Sequence, residues 1–130
     1  MNSLRVAERA SIFRANSLWP NVEGESCTGL NATVRNIGEG SVLWAGFNLN
    51  NNDAATRYMQ VFFKPASEVI LGTTPADDVI SVGANGTVVH RFSKDEFVTQ
   101  GRALSVAVTT TESGTTGPTA AMTGSIYYLP

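Results

Sequence analysis

The run SVLWAGFNLN, Ser41 to Asn50, decides how this chain is read. Leu43, Ala45, Phe47 and Leu49 fall on one side of an extended chain, and Val42, Trp44 and Asn48 fall on the other. A period of two over this length marks a strand with one face buried. The same period recurs outward in both directions. In LNATVRNI (30–37), Leu30, Ala32 and Val34 alternate with polar residues. RYMQVFFK (57–64) sets Met59, Val61 and Phe63 opposite Tyr58, Gln60 and Phe62. VVHRF (88–92), ALSVAVTT (103–110) and GSIYYL (124–129) complete the set.

The segments between these runs are turn-forming. NIGEGS (36–41), NLNNNDAAT (48–56) and LGTTPADD (71–78) are rich in Gly, Asn, Asp and Pro, and GANGT (83–87) holds the hairpin dipeptide Asn85-Gly86. Seven or eight short strands at this spacing predict an all-β chain, a single antiparallel β-sandwich or jelly-roll-like domain. Leu104–Thr110 and Met122–Leu129 are expected as neighbouring antiparallel strands joined by the long loop TESGTTGPTAA (111–121). Brief helix is expected only near Leu4–Ala7 and in SKDEFV (93–98). Residues 1–26 lack the strand period and read as an extended N-terminal arm, with the β domain at 27–130. Ile12, Phe13, Leu18 and Trp19 are too apolar for a solvated tail and are candidate contacts with the chain's own domain or with a neighbour.

Composition narrows the function. At 130 residues, 42% of them hydrophobic, the chain can bury a core without disulfides or metal. The net charge of −2 argues against nucleic acid as a partner, because phosphate neutralisation needs a basic surface. Arg5, Glu8, Arg9 and Arg14 interrupt the first twenty residues, so no signal peptide is expected, and no apolar run is long enough to span a membrane. The chain reads as soluble and made in a cytoplasm.

Catalytic chemistry is thin. The one histidine, His90, sits inside a strand pattern without an evident orienting partner, and the one cysteine, Cys27, reads as a small packing residue. A Cys27–His90 dyad is conceivable, but the context does not call for one. One His and one Cys cannot build a zinc site, and the oxygen-rich Asn51–Asp53 and Asp77–Asp78 turns do not match a calcium loop. No enzyme, cofactor or metal is therefore expected. Trp44, Tyr58 and Phe62 lie opposite the face assigned to the core. They predict either an exposed aromatic face or a register that is off by one.

The stretch from Thr28 to Leu129 resembles a family of small virion-associated proteins of tailed bacteriophages. The likeness is carried in order by LNATVRNI, by VLWAGFNLNNNDAATRYMQVFFKPA, by LGTTPADDVISVGANGTVV and by ALSVAVTTTESGTTGPTAAMTGSIYYL. It implies a non-enzymatic virion structural protein, foremost a capsid decoration or cement protein that binds the major capsid protein and stabilises the head. The expected location is the capsid surface, after synthesis in the bacterial host cytoplasm. Homotrimers or homodimers are expected on a symmetric shell. The alternative is a receptor- or carbohydrate-binding module of a tail or head fibre. Candidate contact residues are Ile12, Phe13, Leu18, Trp19, Trp44, Tyr58 and, in the long loop, Thr115, Thr116 and Pro118.

Overall fold

The computed structural model describes residues 22–93 and 102–130. The anchors Ile12, Phe13, Leu18 and Trp19, and the brief helices expected at 4–7 and over most of 93–98, lie outside the described residues.

The chain is all-β, as its alternation predicts. Among the described residues seven strands follow one another: β1 (Glu23–Leu30), β2 (Arg35–Asn50), β3 (Arg57–Phe62), β4 (Asp78–Val82), β5 (Thr87–Arg91), β6 (Arg102–Thr109) and β7 (Met122–Leu129). A single 3-10 turn, Ala66–Glu68, lies between β3 and β4. All pairings are antiparallel, in the order β1-β7-β2-β6-β3-β4, with β5 also on β2. β1 starts at Glu23, so residues 23–26, expected in the arm, belong to the sheet.

The 16-residue β2 organises everything. Its first half pairs with β6, and its second half pairs with β7 and β5. The result is one curled sheet with two wings that share β2. One wing is β1, β7, the second half of β2 and β5; the other is the first half of β2, β6, β3 and β4. Their concave faces meet in a single core that includes Leu30, Ile37, Leu49, Met59, Val106 and Ile126.

NIGEGS (36–41), expected as a turn, is instead a bulged part of β2. Gly38 and Gly40 take φ of +68° and +61°, and the register with β6 shifts between Ile37 and Val42. Glycines let the strand bend from one wing to the other without leaving the sheet. A second bulge between Trp44 and Gly46 reverses the side-chain parity. Val42 and Trp44 before it, and Phe47 and Leu49 after it, all face the core. Strict alternation could not anticipate that extra residue. LNATVRNI, expected as one strand, is broken by a corner at 31–34, where the Asn31 side chain accepts a bond from Thr33 N at 2.8 Å.

Two pairings also differ from expectation. β6 and β7 are not neighbours, because each pairs with a different half of β2. The Asn85-Gly86 turn forms, with Asn85 at φ +52°, but it carries the chain from β4 in one wing to β5 in the other. A dipeptide specifies the reversal and not the partner.

Candidate interaction surface

Three crossings between the wings, β2–β3, β4–β5 and β6–β7, gather at one end of the molecule, and Asn51-Asn52-Asp53 ties them together. The buried Asn51 amide donates to Ala55 O (2.8 Å), Val82 O (3.0 Å) and Gly83 O (3.0 Å), while its oxygen accepts from Asp53 N at 2.9 Å. Its backbone N–H donates to Gly86 O, and Asn85 N donates to Asp53 O. Asn52 donates to Ala121 O at 2.9 Å. The Asp53 carboxylate accepts from Arg57 Nε (2.7 Å), Thr119 N (2.9 Å) and Ala120 N (2.6 Å). The bond from Arg57, helped by those two backbone N–H groups, holds the Asp53 carboxyl below its ordinary range against the opposing effect of burial. These side chains serve the chain's own backbone, which is how the oxygen-rich turn is used.

The long loop is therefore pinned at its Thr119–Ala121 end. Beyond the core, the outer face of β3 and β6 is also buried: Gln60, Phe62, Ser105, Ala107 and Thr109 are at most 1% exposed. Their polar groups are satisfied by the loops above them. Gln60 Nε2 donates to Thr109 Oγ1 (2.8 Å) and to Gly114 O (3.1 Å). Ser105 Oγ donates to Lys64 O and Thr109 Oγ1 to Thr111 O, both at 2.7 Å. Thr110 N donates to Thr116 O. The β3–β4 loop joins this roof at Gly72, where an added Cβ would come within 2.5 Å of the Thr115 methyl.

The roof's upper surface is the candidate contact face. Thr115 and Thr116 are exposed and Pro118 is half-buried. Ile70, two residues from Gly72, is 67% exposed, the most exposed large hydrophobic among the described residues. The sequence does not mark Ile70, because nothing in VILGTT separates an exposed isoleucine from a buried one.

The aromatic candidates fare differently. Trp44 is 3% exposed; its ring stacks on Phe47 and meets Phe92 edge-on, and its Nε1–H donates to Gly46 O at 3.1 Å. It is a core residue, not a contact residue. Phe62 is buried under the roof, and Tyr58 is half-buried. Cys27 and His90 lie on β1 and β5, with β7 and β2 between them. Three strand spacings, about 14 Å, keep them from forming a dyad. Burial pushes the Cys27 thiol up, more than nearby Arg35 pulls it down. Among the described residues no group of three or more His, Cys, Asp or Glu side chains could hold a metal ion.

No protein-family model, no curated protein and no solved structure matches this chain.

Proposed function

We propose that this protein is a non-enzymatic component of a bacteriophage virion, a decoration or cement protein that binds the major capsid protein lattice. The observation that carries the reading is the roof itself. A loop of small, mostly uncharged residues is held by its backbone, which donates to the Asp53 carboxylate and accepts from Gln60 and Asn52, beside a solvent-exposed Ile70. A preorganised surface loses little entropy on docking, and repeated copies on a symmetric shell let modest contacts act together. The sequence resemblance to virion proteins supports the same reading. A fibre module that stacks on sugars keeps only Tyr58 of its two aromatic anchors, because Trp44 is in the core.

The test is co-sedimentation with the phage's own capsids stripped of accessory proteins. Saturable binding at a fixed ratio to the major capsid protein is expected. Ile70→Glu should weaken binding about tenfold while leaving thermal stability unchanged, since exposed substitutions rarely affect folding. Absence of saturable binding, or full binding by Ile70→Glu, would overturn this assignment of partner or of surface respectively.

A further inference from the structure

The roof covers the outer face of β3 and β6. The outer face of the other wing, on the opposite side of the core, has a different character. Cross-strand register sets its outward side chains in rows. Gly24, Tyr127, Gly46 and Arg91 form one row, Ser26, Ser125, Asn48 and Val89 the next, and Thr123, Asn50 and Thr87 a third. They alternate with Cys27, Phe47, Leu49 and Ile126, which lie in the core. Val89 is 59% exposed, and Ser26, Thr87 and Arg91 are exposed with it. A solvated sheet face is ordinarily polar and carries charges of both signs. Here the polar groups are amides and hydroxyls, and among these residues Arg91 carries the only charge.

That charge is held in place. The Arg91 guanidinium lies 3.7 Å from the centre of the Tyr127 ring, stacked over it. Gly46 stands between the two strands and lets the arginine across, since a Cβ there would come within 3.0 Å of Arg91 Cδ. Stacking occupies a face of the guanidinium and leaves its N–H edges free, and those edges grip a carboxylate through two parallel bonds. Among the described residues no carboxylate pairs with Arg91, and the half-buried Asn48 amide and Ser125 hydroxyl have no hydrogen-bond partner. About 7 Å along the sheet separates the row of Arg91 from the row of Asn48 and Ser125, so one ligand can reach all three.

These groups select the chemistry of an occupant. A fixed guanidinium with no counter-charge calls for an anion, and its paired N–H edges suit a carboxylate. An amide and a hydroxyl both donate and accept, as sugar hydroxyls do. A nucleic acid needs several cations and would find one. A stable protein partner covers about 800 Å² on each side, with an apolar centre. Four strands by five residues give about 19 by 17 Å, on the order of 300 Å², and Val89 is the one aliphatic side chain in the three rows. We propose that the outer face of β1, β7, the second half of β2 and β5 binds an acidic saccharide. Arg91 takes a sugar carboxylate, and Asn48 and Ser125 take neighbouring hydroxyls. This site lies opposite the roof, so the inference stands apart from the capsid reading and can hold without it.

The experiment is calorimetric titration of the full chain with trimers of galacturonic acid and of sialic acid. At least one acidic trimer is expected to bind, and its methyl ester, which lacks the charge, to bind at least tenfold more weakly. Arg91→Ala should lower the affinity about tenfold. Arg91→Lys should lower it nearly as far, because a lysine keeps the charge but not the paired N–H edge. Asn48→Ala should weaken binding severalfold, and all three variants should melt as the wild type does, since outer-face changes rarely affect folding. Binding of neither trimer, equal binding of the ester, or undiminished binding by Arg91→Ala would each overturn the proposal. No capsid enters these measurements, so their failure and that of the decoration reading are separate results.

Discussion

Asn51 is the residue on which the crossing end depends, and replacing it separates hydrogen bonding from packing. The amide donates to three carbonyls, in the β2–β3 connection and at the end of β4, and accepts one backbone N–H, at 3% exposure. Each bond contributes about 1 kcal/mol net, and leaving buried partners unsatisfied costs about 1–3 kcal/mol more. Two hydrogens are shared among three acceptors, so the donors count as roughly two bonds. Asn51→Ala should then destabilise the fold by about 4–6 kcal/mol, or about 15–20 °C in midpoint for a chain of this size. Asn51→Asp has nearly the same shape but turns an oxygen toward Ala55 O, Val82 O and Gly83 O and adds a charge near Asp53. It should be the worse of the two at neutral pH. Its carboxyl is disfavoured as an anion in the fold, so its folded pKa rises. The relative stability of this variant is accordingly greatest in acid and declines as pH rises. Thermal and urea unfolding of wild type, Asn51→Ala and Asn51→Asp at neutral and acid pH measures all of this. If Asn51→Asp lies within about 1 kcal/mol of wild type at neutral pH, the donor role argued from these bonds is wrong.

Three further outcomes are expected. Trp44→Ala should lower stability by about 3–5 kcal/mol, as large-to-small changes in a core do, whereas an exposed contact residue would leave the unfolding curve unmoved. Asp53, with its folded pKa held below the ordinary value, stabilises fully above the ordinary carboxylate range and loses that contribution as pH falls through the depressed value. Protection of the Thr119 and Ala120 amides, relative to the intrinsic exchange rate at the same pH, should therefore fall in strong acid and, at neutral pH, in Asp53→Ala, while protection inside β6 persists; unchanged protection would refute the latch. Cys27 is 1% exposed with its thiol pushed up, so a thiol reagent should modify it only after unfolding. Rapid labelling of the native protein would show that β1 opens readily.

The end of the molecule where the crossings meet shows how far a linear reading reaches. Period-two alternation identified the strands because a half-buried strand must alternate, whatever it pairs with. Partner choice and bulges are not local properties. The extra residue between Trp44 and Gly46 reversed the parity of β2 and took Trp44 from the expected contact face into the core. NIGEGS carried a turn's composition, yet neighbours on β6 kept it in the sheet as a bend. The Thr/Gly loop was visible as unusual by length alone. That it roofs β3 and β6 followed from Gln60 and Thr109, polar residues whose burial no strand pattern announces. Sequence by itself determined an antiparallel β chain and its turn-rich connections, since those depend on each residue's own backbone preference and hydropathy. Only the tertiary structure decided which wing each strand joined and which loops were pinned, because those depend on partners far away along the chain.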